Sequence, residues 1–430
     1  MTPFMLLMGG LVIAALLALG VPIYVGLILV SSVMLLVDGM SVAGIGQHVL
    51  DHLNTSALVS VPFFLLAAVL MRGGGVARSL FDAAVTWIGW LPGGLALAGI
   101  AATAVFAAIN GSSVATALAM GSLLVPMMVE RGYRPSFAMG LTAAAATLGI
   151  LIPPSLPMIL IGLITEVSIP RLFLAGVIPG LLQAALFAGY VLIVARRVGG
   201  HPMPFVDGRS FVHDNLRALP AMAIPVVILG GLYGGLVTLS EAAVLGAVVA
   251  LLVVVVFYKV RSFRTLAGFF TDSIGRTSIV VVIVIGASLL SAVIIRSGAP
   301  QELARKVVES GFEAWQFLLV LNVILLVMGM FLEGVAIILI VVPVVAPVIT
   351  QIGIAPEHFA VVMVINIELA LLSPPIGLNL FVLSNVTGRP VSEVLRGTLP
   401  FFLLMLGLLL LITFVPEIST WLPSAVMDAN

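Results

Sequence analysis

Two carboxylates, Glu333 and Glu368, stand in almost wholly apolar sequence. At membrane depth an ionised carboxylate costs about 2.5–3.5 kcal/mol unless it is paired or hydrated, so each needs a reason to be there. Glu333 belongs to the interruption Phe331-Leu332-Glu333-Gly334, and a second polar interruption, Asn110-Gly111-Ser112-Ser113, divides another apolar run. Two proline breaks accompany them, Pro153-Pro154-Ser155 and Ser373-Pro374-Pro375-Ile376-Gly377. Proline removes a backbone donor and interrupts a helix. The carbonyl and N–H groups left over cannot be satisfied by lipid, so they must face protein or a water-filled cavity. Carbonyl oxygens at the C-terminal end of a half-helix suit Na+, and the positive N-terminal end suits an anion. These residue types point to a site for a cation together with an anion.

Each feature also has a plainer role open to it. A single Pro pair can be a structural kink, and Asn110-Gly111-Ser112-Ser113 can be a packing patch of small residues or an ordinary loop. Glu333 either serves an ion or substrate site or caps a hairpin tip. Glu368 either supports an ion site or bonds to the broken backbone nearby, and Arg296 either snorkels at a helix end or attracts an anion. Other chemistries lack their residues. There is no cysteine, the five His are scattered, and no Walker A, His-Glu-x-x-His or Gly-x-Ser-x-Gly pattern occurs. No cofactor, enzymatic activity or nucleotide hydrolysis is therefore expected.

The elements that must hold these residues are helices. With 62% hydrophobic and 8% charged residues over 430, the chain is far from the roughly 25% charge of soluble proteins, and its apolar runs of about 20 residues suit helical spans rather than barrel strands. Equal numbers of acidic and basic residues, 18 each, give no footprint for nucleic acid. Five prolines recur at one offset: Pro126, Pro135, Pro153, Pro154 and Pro179 each have a partner 221 residues on, at Pro347, Pro356, Pro374, Pro375 and Pro400. The chain thus carries two copies of one pattern of helices and breaks. The match of Met71-Arg72-Gly73-Gly74 with Ile295-Arg296-Ser297-Gly298, offset by 224, extends the repeat with one small indel.

Sidedness follows from the basic residues. Placing the loop from Arg196 to Arg217 in the cytoplasm and alternating outwards leaves only Arg171, Arg296, Arg305 and Lys306 outside. Arg72 then lies inside and Arg296 outside, so the copies are inverted, an architecture of secondary transporters. The expected segments are N-terminal scaffold helices over 1–71 and a first repeat over 72–195, with a re-entrant hairpin at 93–130 and a broken helix at 136–166. A cytoplasmic loop over 196–217 precedes scaffold helices and an interfacial arm, Phe263–Ile274, within 218–295. The second repeat, 296–430, holds a hairpin at 315–350, a broken helix at 358–388 and a C-terminal helix. Phe4 to Val37 reads as an uncleaved anchor, since no Lys or Arg precedes Arg72, and forms either two spans or one span bent at Gly20-Val21-Pro22.

The stretches Asn110 to Ala117, Leu141 to Ser155, Leu174 to Gly180, Gly329 to Gly334 and Ser373 to Phe381 closely resemble the large membrane subunit of tripartite ATP-independent periplasmic transporters, and the resemblance covers nearly the whole chain. It implies an all-α polytopic protein of the bacterial inner membrane, working as an elevator-type importer of an organic acid with Na+ as coupling ion. It also implies two partners, a small four-helix membrane subunit and a periplasmic substrate-binding protein. By resemblance, one Na+ site takes Gly111, Ser112, Ser113, Pro153 and Ser155, and the other Glu333, Gly334, Pro374, Gly377 and Asn379. Asn110, Thr116, Thr147 and Arg296 are candidates for the substrate carboxylate, and Glu368, Pro154 and Pro375 for support of the ion sites. Glu333 stands where the family often has Asp. An alternative is a Na+- or H+-coupled anion transporter or exporter of the same architecture that needs no binding protein.

Overall fold

The computed structural model describes residues 3–73 and 75–428, and its elements there are all helical. Gly74 of the Met71–Gly74 match, and the outermost residues of the 1–71 and 296–430 segments, lie outside the described residues. The first half runs α1 (Pro3–Ala18), α2 (Ile23–Val37), α3 (Val42–Leu53), α4 (Ser56–Gly73), α5 (Val76–Ile88), α6 (Gly94–Asn110), α7 (Ser113–Glu130), α8 (Pro135–Ala145), α9 (Leu148–Leu151), α10 (Leu156–Thr165) and α11 (Ile169–Val194). The second runs α12 (Gly208–Tyr233), α13 (Leu239–Leu252), α14 (Phe263–Ser297), α15 (Ala299–Glu309), α16 (Ala314–Gly329), α17 (Gly334–Gln351), α18 (Pro356–Leu371), α19 (Leu378–Thr387), α20 (Val391–Phe414) and α21 (Glu417–Met427). Among the described residues, eight helical stretches are long and apolar enough to cross a membrane, or up to nine if the bent pair α3–α4 counts as one.

The register-matched prolines occupy matching places. Pro126 and Pro347 lie inside α7 and α17, Pro179 and Pro400 inside α11 and α20, and Pro135 and Pro356 open α8 and α18, where the missing N–H costs nothing. The double prolines follow α9 and α18. α8 is buried from Phe137 to Ala145 and α18 from Glu357 to Leu371, on every face; α8 there is almost wholly apolar, whereas α18 also buries Glu357, His358, Asn366 and Glu368. α6, α7 and α20 pack on α8, and α11, α16 and α17 pack on α18.

α11, about 39 Å long at 26 residues, serves as a ruler. At its C-terminal end the start of α6 and the end of α7 come together, with Gly93 N donating to Gly200 O and Arg134 N to Val198 O, both at 3.0 Å. At its N-terminal end Arg171 donates to Glu357, in the first turn of α18, at 3.0 Å and to Asp428 at 2.7 Å. That guanidinium holds the Asp428 carboxyl below its usual range. Trp315 packs against Phe414 with their rings tilted, and Ser419 bonds His358, so the base of the α16–α17 hairpin also lies towards that end. The two hairpins enter from opposite ends of α11.

Of the two forms open to Phe4–Val37, the structure has separate helices α1 and α2, divided at Gly20 (φ +80°) and Pro22. Three boundaries differ from the sequence expectations. Much of the 196–217 segment is helical: Asp207 caps α12 by accepting from Ser210 N, so Arg209, His213 and Arg217 ride on its first turns. Phe263–Ile274 does not stand apart as an arm but continues into one 35-residue helix, with no proline to stop it and an Asp272–Arg276 pair bridging the expected break. The C-terminal segment holds two helices, α20 and α21, because Pro416 cannot continue the ladder.

α8 and α20 cross at glycine. A Cβ on Gly397 would fall on the Ser136 carbonyl, and one on Gly140 on the Gly397 backbone, so no rotamer change relieves the clash. Gly397→Ala is expected to destabilise the chain by about 1–3 kcal/mol or more. Gly407→Ala, on the same helix with open space around it, is expected to be neutral or stabilising by about 0.5–1 kcal/mol. Thermal midpoints in detergent measure the contrast; equal midpoints would mean that the helices do not cross there.

Candidate functional site

The first hairpin tip is built from its caps. Gly111 ends α6 at φ +61°, a left-handed conformation that glycine adopts without strain, and Ser112 opens α7 by accepting from Ala115 N. Asn110 Nδ2 ties the tip together, donating to Thr116 Oγ1 at 3.2 Å and to Ser112 O at 3.4 Å. The first helix break lies against it: a Cβ on Gly111 would stand 2.9 Å from Pro154 O. Ser155 holds that break by accepting from Met158 N at 3.4 Å and donating to Ile150 O at 2.5 Å. Pro153, Pro154 and Ser155 are all buried.

Asn379, from the opposite repeat, belongs to the same cluster. Its Nδ2 donates to Ser113 Oγ at 2.8 Å and to Ala143 O at 3.1 Å, while its Oδ1 is buried without a hydrogen bond. The second group of candidates is less gathered. Glu333 is the N-cap residue of α17 but makes no capping bond, which removes the capping role open to it from sequence. Gly334 packs on Ile367, in the middle of α18, and Gly377 (φ +37°) on Leu380 and Ser373 of its own break. Pro374 and Pro375 are exposed. Among the described residues no hydrogen bond joins Glu333 or Gly334 to Pro374, Gly377 or Asn379.

Thr147 and Glu368 meet in a third cluster. Thr147 donates to Ala144 O at 2.8 Å and accepts from Gln183 Nε2 at 2.9 Å. Glu368, fully buried, faces both Gln183 and Thr147, yet these bond to each other; its two oxygens and Gln183 Oε1 have no hydrogen-bond partner among the described residues. Gln183 was missed in the sequence, although an amide in the apolar α11 is itself a signal.

Both hairpin tips line one cavity of about 430 Å³. Asn110, Gly111 and Ser112 contribute from the first tip, Glu333, Val335 and Ala336 from the second, and Pro154 and Leu156 from the break. The first turns of α7, α10 and α17 therefore open onto it, three positive helix ends around one space. Its far wall is formed by α2, α4 and α14 and carries Arg72 and Arg276. Arg296 is not there: it pairs with Asp38 at 2.8 Å on the surface. Arg72, its counterpart in the 224-residue register, is the member of the pair that lines the cavity.

The family model described as "Tripartite ATP-independent periplasmic transporter, DctM component" matches residues 11–418. The C4-dicarboxylate TRAP transporter large permease protein DctM of Pseudomonas aeruginosa is 41% identical over 367 residues, covering 85% of this chain and 86% of that protein. The sialic acid TRAP transporter large permease protein SiaM of Vibrio cholerae is 31% identical over 405 residues, covering 94% and 95%. The solved Alcanivorax borkumensis YdaH transporter superposes with a TM-score of 0.64 over 89% of this chain and 91% of that one, at 16% identity, a likeness of fold alone. Matched by the family model over nearly its whole length and equipped, among its described residues, with eight helical stretches fit to span, the chain belongs to the DctM component of the tripartite ATP-independent periplasmic transporters and is a multi-pass inner-membrane protein.

Proposed function

We propose that this chain is the transporting subunit of a Na+-coupled importer of an organic acid, acting with a small membrane subunit and a periplasmic binding protein. The observation that carries this reading is the shared cavity: both hairpin tips and three helix N-termini face one space, as an anion site requires. The substrates named for the relatives, C4-dicarboxylates and sialic acid, are carboxylates of a size that such a cavity admits. Opposed entry of the hairpins supports an inverted repeat, and a site lined by hairpins against outer helices suits an elevator-type movement.

The residues at the first tip fit a monovalent cation. Gly111 leaves open the approach to Pro154 O that a Cβ would fill, and Asn379 Oδ1 is a buried oxygen without a donor. Gly111, Ser112, Ser113, Pro153 and Ser155 would hold Na+ there, largely through backbone oxygens. Glu333 supplies a carboxylate to the cavity and would hold the second Na+ there, while Pro374 and Gly377 do not join it in this arrangement.

Bound Na+ supplies positive charge to the translocated unit. The membrane potential is worth about 2.3 kcal/mol per charge per 100 mV, and a monoanion is drawn inward by it only when at least two Na+ accompany it. Uptake by proteoliposomes containing both membrane subunits, supplied with the binding protein, is expected to be electrogenic and to collapse when choline replaces Na+ at constant pH. Unchanged uptake in choline refutes the coupling. Full-rate uptake without the binding protein favours an autonomous anion transporter of the same fold.

A further inference from the structure

We propose that Arg72, Asp272 and Arg276 form a carboxylate subsite on the outer wall of the cavity, in which Asp272 occupies the two guanidinium groups until a substrate carboxylate displaces it. The proposal rests on the reading of the cavity as an organic-anion site and assigns it a recognition device on α4 and α14, across from the hairpin tips. Arg72 and Arg276 both line the cavity. Asp272 accepts from Arg72 Nη2 at 2.5 Å through one oxygen and from Arg276 Nε at 3.1 Å through the other. Two guanidinium groups thus share one carboxylate, and the triad keeps one positive charge in excess.

Each guanidinium has five N–H donors in a planar fork that matches a carboxylate, and Asp272 takes one from each. The remaining donors have no other hydrogen-bond partner among the described residues. The three side chains are 31%, 36% and 43% exposed, so a hydrated solute reaches them. An ion pair exposed to that degree is weakly held, which makes exchange of one carboxylate for another easy. The first turns of α7, α10 and α17 on the facing wall are positive ends that favour the same ligand. A substrate carboxylate would engage the arginines while the rest of the molecule faces the tips, and Asp272, returning to its partners, would assist release.

This arrangement makes the triad's members act with opposite signs. Binding of succinate and of N-acetylneuraminate to the full chain in lipid nanodiscs is measured by calorimetry, with and without Na+. Arg72→Gln and Arg276→Gln are each expected to weaken binding about tenfold, the loss of one charge-assisted contact. Asp272→Asn, which frees both guanidinium groups, is expected to tighten binding about threefold or more and to slow dissociation. Asp272→Ser gives the same sign if Asn distorts the helix, and thermal midpoints show which variants remain folded. If Asp272 variants weaken binding as the arginine variants do, or no variant changes it, or the wild-type chain binds neither anion saturably, the subsite is overturned. Opposite signs in a chain whose uptake is indifferent to Na+ would uphold the subsite and refute the coupling; Na+-driven uptake without the opposite signs would refute the subsite alone.

Discussion

Gly111→Ala is expected to shift Na+-dependent uptake to much higher Na+ concentration while leaving the chain folded. Two costs meet at this position. The residue sits at φ +61°, where an L side chain costs about 1–2 kcal/mol, and its new Cβ would stand 2.9 Å from Pro154 O, closer than Cβ atoms come to backbone. Pro154 has little room to yield, since Ser155 bonds backbone on both sides of the break and the segment is buried. The tip must retreat instead, which moves the carbonyl oxygens proposed to hold Na+. An apparent Na+ affinity at least about tenfold weaker is the expected result, equivalent to about 1.4 kcal/mol. Gly132→Ala is the control: it has φ +89° but open space around the added Cβ, so it carries the backbone strain without the contact. Initial uptake rates against Na+ concentration distinguish the two, and wild-type Na+ dependence in Gly111→Ala removes the ion site from this tip.

The positions of the tips and breaks were legible in the sequence because Gly, Pro and Ser act locally. Asn110 to Ser113 and Pro153 to Ser155 end and begin helices through φ, a missing N–H and a side-chain cap, and none of these depends on the rest of the fold. The same locality explains why the sequence ends an arm at 274: the polar residues around Asp272 look like a break, but the ion pair one turn apart continues the helix to Ser297. Which residues would face one another was less legible. The resemblance groups Asn379 with Glu333, yet in the fold it bonds the first tip; the sequence offers Arg296 as the anion-attracting arginine, whereas the packing of α4 against α14 brings Arg72 to the cavity. A repeat fixes which residues correspond, whereas the conformation decides which member of each pair faces the site.

Asn379→Leu is expected to uncouple the two repeats at the site. Among the described residues Asn379 makes the only side-chain hydrogen bond between α19 and the first hairpin, and it also satisfies Ala143 O. Leucine of similar volume would leave both acceptors buried and unmade, at about 1–3 kcal/mol each, and would remove the unpaired Oδ1 from the cation site. A lowered thermal midpoint and loss of Na+-dependent uptake are expected together. Ser113→Ala removes one partner of one bond and should be milder. Because the two side chains act as a pair, the double variant should be little worse than Asn379→Leu alone, a non-additivity that marks direct coupling. Strictly additive effects on uptake and midpoint would show that Ser113 and Asn379 act separately, and the proposed link between the first hairpin and the second break would then be wrong.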